Sequence, residues 1–210
     1  MNSTYTLPSP KTKGGMSVEE ALSGRRSHRS FSREAISDQD LSQILWAAYG
    51  VTKPVPEYPM VRGGLRTAPS AGALYPLEIY VLVENVTNIE PGVYKYFPEG
   101  HKITMVIDHN IKAELSAAAY NQTMIEVAPV CLFYTAVFKN SIARYGNRGR
   151  DRYICADLGH SAENVFLQAG ALGLGTCPVG AFEDAKVKTV MQLPGEEEPL
   201  YIMPVGKFQS

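Results

Sequence analysis

Length, composition and charge place this chain among ordinary globular proteins. It has 210 residues, 45% of them hydrophobic, which is enough to build one domain with a substantial core. Its 20 Lys and Arg residues nearly balance 21 Asp and Glu residues, so the formal net charge of -1 provides no overall positive field for nucleic acid or an anionic membrane. We therefore expect a single domain over residues 1–210 that binds neither.

The cysteine content and the hydropathy pattern exclude further classes of protein. The chain has an odd number of cysteines, Cys131, Cys155 and Cys177, and they form no C-x-x-C motif. The sequence therefore indicates neither a disulfide framework nor a structural metal site. The first dozen residues lack the features of a secretory signal. The longest apolar run, residues 127–138, is shorter than the ~20 residues of a membrane-spanning helix. We expect a soluble, cytoplasmic protein.

The first part of the chain predicts two helices and a long loop. The segment S-V-E-E at residues 17–20 has the form of a capping box, which predicts a short helix that ends near Gly24. Ser37 offers a second cap, and apolar residues recur at helical spacing until Gly50. Residues 51–76 are rich in proline and glycine, a composition typical of a long, functional loop.

The rest of the chain mixes β segments with helices. Three β segments are predicted first, the last two as a hairpin, at residues 78–83, 92–97 and 101–106. The next predicted elements are a helix at 111–120 and a buried strand at 129–138. A long apolar helix at 151–173 comes after them, then helical spacing at 187–191 and a last strand at 200–205. This order predicts an α+β fold.

Two common nucleotide-binding motifs are missing from the sequence. No segment matches G-x-x-x-x-G-K-[ST], so a P-loop of this form is excluded. The glycines of residues 170–175 have the order G-x-x-G-x-G and close a predicted helix. They therefore predict a helix C-terminus and not the turn that binds a dinucleotide pyrophosphate.

Three segments have compositions that suit a ligand. Residues 25–31, R-R-S-H-R-S-F, offer three guanidiniums and two hydroxyls, which can surround one phosphate. Residues 67–76 and 177–182 are rich in small side chains, which let a flat ligand approach backbone N–H groups. The alternative interpretations are a solvated basic turn and two plain loops. Together the three segments predict a site with one phosphate pocket and two faces formed by backbone.

Six motifs follow one another along nearly the whole chain. They are R-R-S-x-R-x-F at 25–31, P-S-A-G-A-L-Y-P-L-E at 69–78, G-V-Y-K-Y at 92–96, Tyr145-Gly146 with Arg148 and Arg152, D-L-G-H-x-x-x-N at 157–164, and A-L-G-L-G-x-C-P-V-G at 171–180. Each is weak alone, but their shared order is specific. In this order of motifs the chain resembles the nitroreductase-like flavin oxidoreductases, and most closely their SagB-type dehydrogenase branch. The resemblance implies a central mixed β-sheet packed with helices, and an obligate homodimer with FMN sites at the subunit interface.

The resemblance also implies roles for particular residues. The FMN phosphate and ribityl end would be held by Arg25, Arg26, Ser27 and Arg29. The partner subunit would bring small residues against the flavin, namely Pro69, Ser70, Ala71 and Gly72. Gln122 would reach the ring or the ribityl chain, and Lys207 is the one basic candidate left near the end of the sequence. The reactive edge of the flavin, with backbone N–H groups directed at N5, would face Pro178, Val179, Gly180 and Ala181.

The implied activity needs no catalytic side chain, because the flavin carries the hydride. The resemblance implies that NAD(P)H reduces FMN in a ping-pong cycle and that a small aromatic, nitro or quinone-like acceptor reoxidises it. One alternative is a SagB-type oxidase of azolines in a precursor peptide. The resemblance implies that such enzymes use a Lys-Tyr pair, but the only Lys-Tyr dipeptide here, Lys95-Tyr96, lies in a predicted hairpin strand and is not equated with that pair. The other is a nucleic-acid-binding module, which the net charge opposes. It would use the arginines of residues 25–29 together with Arg144, Arg148, Arg150 and Arg152.

Overall fold

A computed structural model describes residues 3–58 and 61–208. Its strands are β1 Thr4–Thr6, β2 Val51–Lys53, β3 Leu65–Arg66, β4 Leu77–Val83, β5 Gly92–Phe97, β6 Lys102–Ile107, β7 Val130–Val137, β8 Gly175–Thr176 and β9 Glu197–Gly206. Its helices are α1 Val18–Gly24, α2 Asp38–Tyr49, α3 Lys112–Ala118, α4 Met124–Val127, α5 Phe138–Tyr145, α6 Ile154–Ala171 and α7 Asp184–Val190. The predicted α+β fold is confirmed.

Seven strands form one sheet in the order β1-β6-β5-β4-β7-β9-β8. Every pairing between neighbouring strands of this sheet is antiparallel, so the expectation of a mixed sheet is wrong. The reason lies in the connections. A loop over residues 84–91 joins β4 to β5, and a short turn over residues 98–101 joins β5 to β6. The helical segment after β6 starts and ends at the same end of the sheet, so β7 runs antiparallel to β4. Parallel pairing occurs only in isolated bridges in the part of the chain described, among them Ser27 with Thr176.

Both faces of the sheet are covered by helices. All eight residues of β7 are buried, which confirms the strand predicted from its continuous apolar run. One face of the sheet forms a core with α2 and α6 that includes Ile79, Val81 and Tyr134. The other face packs against α3, α4 and α7 through side chains such as Phe133 and Ile202. The sheet therefore separates two apolar layers.

The helix boundaries follow the predicted caps. Ser17 Oγ accepts from the Glu20 N–H over 3.1 Å, and Glu20 Oε2 accepts from the Ser17 N–H over 2.7 Å, so the capping box at the start of α1 is confirmed. Ser37 caps α2, and Gly50 ends it. The long apolar helix begins later than predicted, because a π-helical turn at Gly149–Tyr153 precedes α6. No helix in residues 3–58 or 61–208 combines the length and hydrophobicity that crossing a bilayer requires.

Candidate active site

The basic segment at residues 25–29 follows α1 and lies along the edge strand β8. The His28 N–H donates to the Thr176 carbonyl over 3.0 Å, and Ser27 forms a parallel bridge with the same residue. A Cβ added at Gly175 would lie 2.7 Å from the His28 Cβ, so this close approach requires glycine. These contacts fix the backbone of the segment and leave the Ser27 side chain exposed.

The arginines of this segment differ in their surroundings. The Arg25 guanidinium lies 5.0 Å from the centre of the Phe166 ring on α6. Arg26 Nη1 donates to the carbonyls of Ser23 and Arg25, which commits it to the end of α1. Neither Arg25 nor Arg29 forms an ion pair with any residue that the structure describes. Two guanidiniums are therefore free to bind an anion, and the third is engaged locally.

Residues 178–181 continue from β8 and so lie close to the basic segment. The Val179 N–H donates to the Ile202 carbonyl over 2.8 Å, and the Ile202 N–H donates back over 3.0 Å. The Val179 N–H is therefore already paired within the sheet, which leaves it no free hydrogen to donate to a flavin. The amides of Gly180 and Ala181 have no acceptor among the hydrogen bonds of the described chain, and both residues are exposed. These two N–H groups remain available to a ligand.

Gln122 lies against the same segment. Its Nε2 donates to the Ala181 carbonyl over 3.2 Å. The two residues before it, Tyr120 and Asn121, have φ angles of 55° and 60°, a left-handed conformation that is uncommon outside glycine and costs free energy. This strained turn brings Gln122 to Ala181, so the structure joins the two predicted residues.

The backbone of Lys207 lies beside Ser32, three residues after the basic segment. The Ser32 N–H donates to the Lys207 carbonyl over 2.9 Å. The Lys207 ammonium, however, lies 2.6 Å from Glu34 Oε2, and both side chains are exposed. An exposed ion pair contributes at most about 1 kcal/mol, so Glu34 competes only weakly with a phosphate for the Lys207 ammonium.

The loop of residues 69–72 is anchored by Asp157, near the start of α6. The Ser70 hydroxyl donates to Asp157 Oδ2 over 2.5 Å, and the Ala71 N–H donates to Oδ1 over 3.3 Å. Burial raises the pKa of the Asp157 carboxyl, while the hydrogen bonds from Ser70 and Ala71 act in the opposite direction. The sequence did not single out Asp157 as a site residue, although its place in the D-L-G-H motif was a signal.

Gly72 makes a close contact with the end of α5. Its φ is +63°, and an added Cβ would overlap the Tyr145 hydroxyl and lie 3.4 Å from Arg144 Cζ. Both the backbone conformation and the space therefore require glycine. Tyr145 and Arg144 are thus neighbours of the predicted loop, which the separate positions of these segments in the sequence do not reveal.

Within one chain the predicted site residues other than Lys207 form two groups. The first comprises residues 25–29, 178–181 and Gln122, and the second comprises residues 69–72. The first group contacts α6 at Phe166, whereas the second contacts it at Asp157, nine residues earlier. Nine residues span about 14 Å of helix. The cavity of about 660 Å³ between α1, α2 and α6 is lined by none of the fourteen predicted residues.

The dipeptide Lys95-Tyr96 does not form a chemical pair. The Lys95 ammonium lies 2.8 Å from Glu197 Oε1, and the Tyr96 hydroxyl lies 2.9 Å from His101 Nδ1. Adjacent residues of a strand point to opposite faces of the sheet. Both side chains therefore serve the packing of the sheet on separate faces.

Comparisons with known proteins agree with this architecture. Residues 22–207 match the model of the nitroreductase family. MJ1384, a nitroreductase homologue of Methanocaldococcus jannaschii, is 44% identical over 190 residues, or 90% of each chain. The crystal structure of a nitroreductase homologue from Ralstonia eutropha JMP134 has a TM-score of 0.83 and 27% identity, and the match covers 99% of this chain and 90% of that one.

The similarity extends to a peptide-processing protein. The microcin B17-processing protein McbC of Escherichia coli is 29% identical over 133 residues, which cover 61% of this chain and 48% of McbC. The resemblance drawn from the six motifs is thereby confirmed: the chain belongs to the nitroreductase family.

Proposed function

We propose that this protein is an FMN-dependent oxidoreductase that uses NAD(P)H to reduce a small aromatic, nitro or quinone-like acceptor. Membership of the nitroreductase family implies an oxidoreductase, and the cofactor, donor and acceptor are our proposal. One observation carries it. Strand β8 pairs through Thr176 with Ser27, which lies between Arg25 and Arg29, and the free N–H groups of Gly180 and Ala181 follow a few residues along the same segment. We also propose that residues 1–210 form one flavin-binding domain.

The donors of the first group fit FMN. Arg25 and Arg29 are forked donors that match a phosphate dianion. Thr176 pairs with the backbone of Ser27, and its Oγ1 is buried and lacks a hydrogen-bond partner among the described residues, so a polar atom remains for a ligand to satisfy. The amides of Gly180 and Ala181 can donate to the polar edge of a flavin ring. The residues present therefore offer partners to both ends of the cofactor.

The role of the chain is to bind and orient the cofactor. When bound, FMN would supply the hydride chemistry. The paired hydrogen bonds between Val179 and Ile202 hold the next two amides on a rigid strand edge. Gln122 Nε2 donates to the carbonyl of Ala181 and so helps to fix this segment. Donors fixed in this way need no reorganisation when charge develops on a ligand.

Anaerobic titration of the purified protein with NADH and with NADPH tests the proposed donor. We expect at least one nucleotide to bleach the flavin absorbance, and a quinone added afterwards to restore it. Free FMN under the same conditions is the control for uncatalysed reduction. Bound flavin that neither nucleotide reduces would contradict the assignment of NAD(P)H.

We further propose a homodimer in which residues 69–72 of one subunit complete the flavin site of the other. The points at which the two groups contact α6, Phe166 and Asp157, lie about 14 Å apart along the helix, and this separation supports the arrangement. α6 exposes one face that carries the small residues Cys155, Ala156 and Gly159 together with His160. On α1, Val18 is 65% exposed and Leu22 is 54% exposed. Exposed apolar surface of this kind is typical of a protein interface.

Sedimentation tests the dimer. The expected mass is near twice the 23.0 kDa of one chain. An added side chain at Gly159 meets no atom within 4 Å, so Gly159→Arg is compatible with the fold of one subunit but blocks the exposed face of α6. We expect this variant to be monomeric and to lose FMN, whereas Gly195→Arg, also in open space, keeps both. Tight FMN binding by a monomer at micromolar concentration would contradict the shared site.

A second candidate function is oxidation of azolines in a precursor peptide. It is favoured by the similarity to McbC, whose name assigns it to microcin B17 processing. Against it, the side chains of Lys95 and Tyr96 have separate partners, Glu197 and His101, so this dipeptide does not supply a Lys-Tyr pair. Incubation with an azoline-containing peptide distinguishes the two functions, because azoline oxidation lowers the peptide mass by two hydrogens.

A further inference from the structure

Two tyrosine rings meet where α5 turns back towards α6. α5 ends at Tyr145, and Gly146, with a φ of 59°, leads the chain into the π-helical turn Gly149–Tyr153. The rings of Tyr145 and Tyr153 lie edge to face, with centroids 5.0 Å apart and an interplanar angle of 88°. π-helical turns of this kind are frequent at functional sites.

Two arginines flank these rings. Arg144 Cζ lies 5.6 Å from the centre of the Tyr145 ring, and Arg148 Nε lies 3.5 Å from the Tyr153 hydroxyl. We call these four residues the Arg-Tyr patch. Both arginines are exposed, and in residues 3–58 and 61–208 neither forms an ion pair. The patch is therefore a local positive surface on a chain whose net charge is -1, and it attracts anions.

The Arg-Tyr patch borders the loop that we propose covers the flavin. A Cβ at Gly72 would overlap the Tyr145 hydroxyl and lie 3.4 Å from Arg144 Cζ. The same loop is anchored to α6 by Asp157. A ligand bound to the Arg-Tyr patch therefore lies beside the proposed flavin site. One extended molecule can contact both the patch and the flavin.

We propose that the Arg-Tyr patch binds the adenosine diphosphate half of NADH or NADPH, an inference that rests on the proposed function. Arginine forks match phosphate oxygens, and tyrosine faces stack on planar bases. An acidic peptide would use the guanidiniums but gain little from the rings. A nucleic-acid strand requires a longer basic track than these two arginines provide.

Calorimetric titration of the purified protein with ADP-ribose tests the proposal. ADP-ribose carries the adenosine diphosphate group without the nicotinamide. We expect ADP-ribose to bind the parent protein. In Arg144→Gln and in Arg148→Gln we expect the Kd to rise by roughly tenfold or more, because each variant loses one charge-assisted contact. Arg150→Gln is the matched control, because the Arg150 guanidinium lies over Phe138, 5.8 Å from its ring centre, outside the patch. It should bind ADP-ribose as the parent does.

The outcomes separate this proposal from the proposed function. Because ADP-ribose has no redox group, its binding does not depend on flavin chemistry, and flavin absorbance is recorded on the same samples. A yellow protein that does not bind ADP-ribose, or binds it equally in all variants, would overturn the patch and leave FMN binding in place. A colourless protein with the expected pattern of Kd values would support the patch and contradict the proposed function. Binding of polyglutamate or of a single-stranded oligonucleotide in place of ADP-ribose would also overturn the patch.

Discussion

Replacing Arg25 or Arg29 with alanine is expected to weaken FMN binding by roughly tenfold to a hundredfold. A charge-assisted bond from a guanidinium to phosphate contributes about 1.5–3 kcal/mol, which corresponds to this range. Neither side chain forms an ion pair with a residue that the structure describes. Neither substitution therefore removes such a pair. Quenching of flavin fluorescence during titration of the apoprotein measures the affinity.

Three further variants act as controls for this prediction. Ser27→Ala should lose less affinity, because a neutral hydroxyl bond to phosphate is weaker than a guanidinium bond. Arg26→Ala should also lose less, because Arg26 already donates to the end of α1. Arg33, exposed and 3.9 Å from Glu84, lies outside the motif, so Arg33→Ala should bind FMN like the parent. Equal affinity in all five variants would remove the phosphate pocket from the proposed site.

Replacing Asp157 with alanine is expected to lower the free energy of unfolding by about 1–3 kcal/mol, the cost of leaving a buried hydrogen-bonding group without its partner. The variant also loses the anchor of residues 69–72, so we expect weaker FMN binding in the dimer. Thermal unfolding and flavin titration measure the two effects. Asp151→Ala is the matched control, since Asp151 is exposed and lies just before α6. Unchanged stability and flavin affinity in Asp157→Ala would show that the loop needs no anchor.

The same carboxylate contributes to the pH dependence of stability. Burial raises its folded pKa above the ordinary value of 3.8. At pH values between 3.8 and the raised folded pKa, Asp157 keeps its proton in the folded chain but has lost it in the unfolded chain. The contribution of Asp157 to the free energy of unfolding therefore falls as the pH rises through this interval. Asp157→Asn does not titrate, and its stability should therefore lack this decline. Denaturant unfolding of the parent and the variant from pH 3.5 upwards compares the two slopes.

Local signals were sufficient for much of the fold. The capping residues Ser17 and Ser37 set the starts of α1 and α2, and a continuous apolar run identified β7. The edge strand β8 has only two residues, too few for any periodic pattern. The antiparallel arrangement could not be predicted from the sequence either, because strand direction depends on the end of the sheet to which the connecting helices return the chain.

The candidate site was predictable in its parts but not in its assembly. Composition selected the basic segment at 25–29 and the small residues at 178–181, yet only the tertiary fold brings both to β8. The use of the Val179 N–H by Ile202 is a pairing between residues distant in sequence. The anchor between Ser70 and Asp157 joins residues 87 positions apart, and no local pattern contains that information.

The cofactor released from the purified protein tests the proposed function most directly. We predict a yellow preparation with the absorbance of oxidised flavin. Heating should release a compound with the mass of FMN, in an amount near one per chain. A colourless protein that takes up no added FMN would contradict the proposed function.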